Sequence, residues 1–249
     1  MRITVRQALH AGREAEAVSW LARLVVATRD QLVALAWPDL HPEAAKARLR
    51  RLCERGLVEA VRLAEEGGRS VYRLTGAGAQ AAAALAKDSR LVVYLARSSV
   101  DTIHLAHRTA TGDAVVELVR RLGSRLEVLY PHERRLRWQV SGGLWREVTP
   151  DAVLVAGETA VALEYDRGTR SVEALAAQVR RYAEAAQAPD LPGWVRCCSV
   201  VYVLEAVSAR RAEAVLQAAE SAGIAGRVAV TTVGGLGELA RRLAERAGV

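Results

Sequence analysis

From Val18 to Thr28 the apolar residues Val18, Leu21, Leu24 and Val25 recur at helical spacing, which predicts a first helix with one buried stripe. Thr28-Arg29-Asp30-Gln31 fits a capping box, in which the Thr hydroxyl accepts from the amide three residues on and Gln31 reaches back. A short helix over Gln31 to Trp37 follows, and Pro38 stops it. His41-Pro42-Glu43 opens a third helix, because proline is tolerated at the first helical position and an acidic residue there complements the dipole. It runs to Arg55, with Gly56 as its C-cap. Leu57 to Leu63 alternates, Glu65-Glu66-Gly67-Gly68 turns, and Ser70-Val71-Tyr72-Arg73-Leu74 alternates again, which is the pattern of a β-hairpin. Thr75 then caps an alanine-rich helix through Ala86.

Beyond residue 88 the pattern changes. Leu91 to Arg97 is apolar without decisive periodicity, and the stretch 88 to 112 is left unassigned. A helix is predicted over Asp113 to Leu122, then strand segments at 126–130 and 133–138. Two apolar strands, Pro150 to Ala156 and Thr159 to Asp166, flank Gly157-Glu158. A helix from Ser171 to Gln187 follows, then a strand (Val195 to Leu204), a helix (Ala209 to Ala222), a strand (Arg227 to Val233) and a last helix (Leu236 to Arg246). Strands alternating with helices predict a sheet with parallel strands covered by helices. The fold class expected is α/β (α+β), with one domain at 1–87 and another at 88–249.

The 249 residues are 51% hydrophobic and 25% charged, a packed globular composition rather than a disordered one. There is no Phe, so the cores are built from small and branched aliphatics. The net charge of +7 makes polyanions plausible partners. Residues 1 to 90 carry 15 basic against 10 acidic side chains, which places most of the excess at the N-terminal end. Cys53 and the adjacent Cys197-Cys198 have no metal-ligand spacing and form no disulfide framework. No apolar run approaches the ~20 residues of a membrane span, and Met1 to His10 lacks a signal-peptide core, so a soluble, cytoplasmic protein with no membrane partner is expected.

On the third helix Ala45, Leu49, Leu52 and Cys53 make one inward stripe. Lys46 and Arg50 form one basic flank and Arg48, Arg51 and Arg55 the other. Such a helix can enter the ~12 Å major groove of double-stranded DNA while Arg69 and Arg73 of the hairpin reach phosphates. The competing readings are a solvated basic face or a protein-docking module. In the second domain, a turn at Gly157-Glu158 pairs 156 with 159 and places Asp151 opposite Glu164, with Asp166 on the same face two residues on. Opposed carboxylates repel unless a cation, protons or arginines neutralise them. A divalent metal held by Asp151, Glu164 and Asp166 is one answer; pairing with Arg167, Arg170 and Arg181 as an ordinary network is the other.

The segment RLRRLCERGLVEAVRLAEEGGRSVYRLTGAG resembles winged helix-turn-helix proteins. PDAVLVAGETAVALEYDRGTRSVEALAAQVRRYAE resembles the replication-relaxation family, in which a winged helix precedes a domain similar to the PD-(D/E)XK nucleases. Its specific pieces are Pro150-Asp151, Glu164 to Thr169, and Tyr182; Glu133 resembles the family's upstream acidic residue. The resemblance implies an accessory role in plasmid replication, DNA relaxation or conjugative mobilisation of a mobile element, with a relaxase or replication protein as partner. It does not by itself imply cleavage. In the nuclease class an Asp and a Glu hold Mg²⁺ or Mn²⁺, and a Lys two residues after the Glu acts on the attacking water. Here that position is Asp166, and Gln178 stands where the family often has a lysine on the next helix. Lys46 and Lys87 are the only lysines in the chain, and Arg181 is a poor proton acceptor. If the site is active, Glu133, Asp151, Glu164, Asp166, Gln178 and Arg181 are its catalytic candidates. A Mg-dependent endonuclease and a winged-helix transcriptional regulator, which could bind as a homodimer, remain the alternatives to an accessory DNA-binding protein.

Overall fold

Val25 ends the first helix three residues earlier than its periodicity predicts. The computed structural model describes residues 13–62, 70–97, 102–123, 126–140, 142–156, 159–205 and 208–246. In it α1 spans Arg13–Leu24, Val25 adopts φ 70° and its N–H bonds the Leu21 carbonyl at 2.8 Å. Val26–Thr28 is then a strand, β1, rather than the end of a helix. Its three residues are buried, and β-branched side chains suit a strand that gains a sheet neighbour. The capping box forms as the sequence requires: Gln31 N–H donates to the Thr28 hydroxyl at 3.2 Å and Thr28 N–H to Gln31 Oε1 at 2.9 Å. It opens α2 (Arg29–Ala36). Pro42–Glu54 forms α3, and Gly56 takes the left-handed φ of 65° that turns the chain into β2 (Val58–Arg62). With β3 (Ser70–Leu74) these strands make an antiparallel sheet in the order β1-β3-β2. The hairpin turn Glu65 to Gly68, and Arg69 with it, lies outside the described residues.

Thr75 caps α4 (Gly76–Ala86), donating its hydroxyl to the Gly56 carbonyl while accepting from Gly78 N–H. Two further helices follow: α5 (Arg90–Arg97) lies in the stretch the sequence left unassigned, and α6 (Thr102–Leu122) begins there and runs through the helix expected over Asp113 to Leu122. Gln31 ties α2 to α6, its amide donating to the Thr109 carbonyl and to Asp113 Oδ1, both at 2.7 Å. The chain divides into two compact units, the first running to Val116 and taking in Tyr130–His132, the second comprising Glu117–Leu129 and Glu133–Val249. The first unit therefore continues well past residue 87, where the sequence set its boundary.

The second unit is built on a five-stranded mixed sheet. Its strands are β4 (Glu127–Val128), β7 (Ala152–Ala156), β8 (Thr159–Asp166), β9 (Cys198–Leu204) and β10 (Val228–Thr232), in the order β10-β9-β8-β7-β4. A separate ribbon pairs β5 (Leu136–Gln139) with β6 (Trp145–Val148). β7 and β8 are antiparallel, in the register 156 with 159, while β8, β9 and β10 run parallel. The turn expected at Gly157-Glu158 lies outside the described residues. The parallel steps need crossovers, supplied by α7 (Val172–Gln187) and α8 (Ala209–Ser221). Leu175, Val179 and Tyr182 of α7 and Val215 and Ala219 of α8 pack with Ala160, Ala162, Val200 and Tyr202 of the sheet. Fully burying each larger apolar side chain contributes about 1.5–3 kcal/mol. α9 (Leu236–Arg246) follows β10. Among the described residues no helix is long and apolar enough to cross a membrane.

Candidate functional site

Two groups of polar residues stand out, one in each unit. On α3 the stripe Ala45, Leu49 and Leu52 is buried, which turns Lys46, Arg50 and Arg51 outward into solvent; Arg48 is half-buried. Arg50 makes an exposed i,i+4 pair with Glu54 at 3.4 Å, a contact of little energetic weight. Arg55 is different. Its guanidinium bonds Glu14 at 2.6 Å, and the Glu14 side chain is almost fully buried, so this arginine fastens the end of α3 to α1 instead of projecting as a free cation. Arg73 lies across the β2–β3 pair from Glu59 and bonds it at 2.5 Å.

In the second unit the β7–β8 register, carried one step beyond its last pair, sets Asp151 opposite Glu164. Glu164 is 0% exposed. Its Oε1 accepts the Tyr182 hydroxyl of α7 at 2.5 Å, and its Oε2 lies 3.5 Å from Arg170 Nη1. Burial, and then the charge of Asp151, push the Glu164 carboxyl up to about 8, against the opposing pull of Tyr182, Arg170 and Gln178. The same burial, with the charge of Glu164 behind it, raises the Tyr182 phenol well above its ordinary value. Arg170 also lies 4.0 Å from Asp151 Oδ2 and donates to Gln178 Oε1 at 2.9 Å. Asp151 Oδ2 accepts from the Tyr165 amide at 2.9 Å, and Arg134 donates to the Asp151 carbonyl. Asp166, buried at the end of β8, is gripped by Arg211 from the first turn of α8 at 2.6 Å and accepts Gly168 N–H at 3.2 Å.

Asp151, Glu164, Gln178 and Arg170 are thus brought together, with Asp166 on the same strand face. Glu133 sits half-buried in the turn before β5, Arg181 is exposed on α7, and Arg167 pairs with Glu205 at 3.4 Å. Arg211 and Tyr202 were not singled out by the sequence. Tyr202 lies beside Glu164 in the parallel register, and its buried hydroxyl has no hydrogen-bond partner among the described residues. The available signal was that register: a tyrosine two residues before the end of β9 falls opposite the glutamate.

The donor set does not fit a divalent ion as it stands. Mg²⁺ asks for near-octahedral oxygens at about 2.0–2.1 Å. Asp151, Glu164 and Asp166 do not bring one oxygen each within 4.8 Å of one another. A guanidinium stands between the first two, and a second one holds the third.

No curated protein matches the chain. Among solved structures, the crystal structure of protein VC1899 from Vibrio cholerae is similar at 12% sequence identity with a TM-score of 0.34, over 98% of this chain and 53% of that one. The chain thus spans about half the length of that protein. Residues 18–191 match the model of the family described as replication-relaxation, a span that begins within α1, runs past α7 and includes Asp151, Glu164 and Asp166. The chain belongs to the replication-relaxation family.

Proposed function

We propose that this is a DNA-binding accessory protein acting in replication, relaxation or mobilisation of plasmid or integrative-element DNA, whose first unit grips the duplex through α3 and whose second unit keeps a nuclease-like frame without hydrolysing DNA. Family membership points to replication or relaxation of such an element. The observation that carries the DNA reading is the set of exposed cations on α3, Lys46 and Arg50 on one flank and Arg51 on the other, held outward by the buried stripe of the same helix. A helix of that kind fits the ~12 Å major groove, and three helices followed by an antiparallel hairpin is the order of a winged helix-turn-helix. Loss of hydrolysis is supported by chemistry. The lysine position of the nuclease motif is Asp166, it is engaged by Arg211, and no lysine occurs after Lys87. A relaxase or replication protein, and a second copy of the chain, are the partners this reading implies.

Fluorescence anisotropy with a labelled duplex at a series of salt concentrations tests the claim. Replacing Lys46, Arg50 and Arg51 by alanine together is expected to lower affinity at least about tenfold at low salt and to flatten the salt slope, by about 0.9 for each phosphate no longer neutralised. Affinity and slope unchanged in that variant would remove α3 from the interface. Supercoiled plasmid with Mg²⁺ or Mn²⁺ is expected to stay intact. Nicking that disappears in Asp151→Asn would replace this reading with an endonuclease.

A further inference from the structure

We propose that Arg170 is a built-in substitute for a divalent cation, so that the carboxylate site of the second unit is complete without metal and admits metal only when Arg170 is removed. The place for a cation is set by the backbone. Opposed residues of an antiparallel pair have Cβ atoms about 4.5–5.5 Å apart, and two acids placed so and largely withdrawn from water repel strongly whenever both are ionised, unless positive charge stands between them. Arg170 supplies it: the guanidinium lies 3.5 Å from Glu164 Oε2, 4.0 Å from Asp151 Oδ2 and 2.9 Å from Gln178 Oε1. A guanidinium stays protonated at every working pH, so this charge cannot be titrated away.

The loop that delivers Arg170 is fastened at both ends, which separates a positioned cation from a passing surface arginine. Gly168, in a left-handed conformation with φ of 81°, turns the chain after β8 and donates its N–H to Asp166 Oδ1. Arg211 bonds Asp166 Oδ2 at 2.6 Å and, through its other nitrogen, the main-chain carbonyl of Arg170 at 2.7 Å. Asp166 therefore serves as the anchor of the loop, not as a third ligand. Gln178, at the position where the resemblance expects a lysine, completes the arrangement: a second cation beside Arg170 would be repelled, whereas an amide oxygen accepts from Arg170. Removing the Arg170 side chain leaves Asp151, Glu164 and Gln178 facing a space with the unpartnered Tyr202 hydroxyl nearby, an all-oxygen donor set suited to Mn²⁺ or Mg²⁺.

The proposal rests on the nuclease-like reading of this unit, but its failure is read separately, because Mn²⁺ binding and duplex binding are independent measurements. Mn²⁺ titrations of the full chain followed by electron paramagnetic resonance are expected to give no site in the wild type and one site in Arg170→Ala. That site should be lost again in the double variant with Asp151→Asn, and Arg170→Lys should exclude Mn²⁺ as the wild type does. Thermal unfolding gives a second readout. At Mn²⁺ about 100-fold above its dissociation constant Arg170→Ala should gain about 5–10 °C, and the wild type should not move. If Arg170→Ala does not fold alone, refolding in Mn²⁺ should restore it; failure to do so counts against the proposal. A wild-type Mn²⁺ site that Asp151→Asn abolishes, or a folded Arg170→Ala with no site, overturns it.

Discussion

Glu164 carries its consequences onto the pH axis. Its carboxyl, raised from 4.5 to about 8 by burial and by Asp151, binds a proton more tightly in the folded protein than in the unfolded chain. Stabilisation from that proton is complete below about pH 4.5, declines as the pH rises, and is gone above about pH 8. Within the window one group contributes at most about 1.4 kcal/mol per pH unit. Glu164→Gln, which keeps a neutral side chain of the same shape, is expected to flatten this part of the profile and to be at least as stable as the wild type at pH 9. Melting temperatures at half-unit steps from pH 5 to 9 check it; parallel wild-type and variant profiles would clear Glu164 of the effect. The opposition of Asp151 and Glu164 was legible in the sequence because a two-residue turn fixes every later pair of a hairpin. Arg170 was legible as one of several neighbouring arginines. Arg211 was not, since it arrives on α8, 45 residues after the aspartate it holds, and no local pattern encodes a contact of that range. The same holds for Arg55, which belongs to a basic flank by periodicity yet is claimed by Glu14 of another helix.

At the scale of elements, glycines record close approaches that periodicity does not. A Cβ on Gly78 would lie 1.9 Å from the Leu57 carbonyl oxygen, because α4 packs its first turn directly on the backbone entering β2. Gly76, two residues earlier in the same turn, faces open space. Gly78→Ala should therefore cost about 1–3 kcal/mol or more through overpacking, whereas Gly76→Ala should be neutral or stabilising by up to about 1 kcal/mol. Urea denaturation of the two variants beside the wild type decides between packing and helix propensity as the controlling factor. Elements with caps were readable: α2 with its capping box, α3 with Pro42 and Gly56, α4 with Thr75 and α7 with Ser171 form where those signals stand. The N-terminal half of α6 was not, because Thr-Ala-Thr-Gly is poor helix material in isolation. Thr109 and Thr111 are accommodated by donating back to the carbonyls of Leu105 and His107, and Gly112 leaves room for the Gln31 amide. β6 escaped notice for a different reason: three of its four residues are exposed, so the alternation that marks a half-buried strand is missing.

Over the whole molecule the charge is unevenly spread, and that asymmetry separates a local interface from a general attraction. Residues 1 to 90 account for +5 of the net +7, and their exposed cations include those on α3. The remainder is nearly balanced, and several of its arginines are spent on carboxylates: Arg170 on Glu164 and Asp151, Arg211 on Asp166, Arg135 on Glu147, Arg241 and Arg242 on Glu238. The two hydrogen-bonded arginines at Glu238 hold its carboxyl down at about 2, a sign that their charge is already answered. If duplex binding were a response to net charge alone, removing two cations anywhere would weaken it alike, since the long-range field depends on the total. If it depends on phosphates met by α3, only cations there should matter, and the salt slope should follow them. Arg180 and Arg181, both exposed on α7, provide the comparison. Arg180→Ala with Arg181→Ala is expected to leave duplex affinity within about twofold and the slope unchanged, while Arg50→Ala with Arg51→Ala lowers both, although each pair removes the same charge. Equal losses from the two pairs, measured by anisotropy in one buffer series, would move the interface off α3 and make the basic first unit a matter of composition.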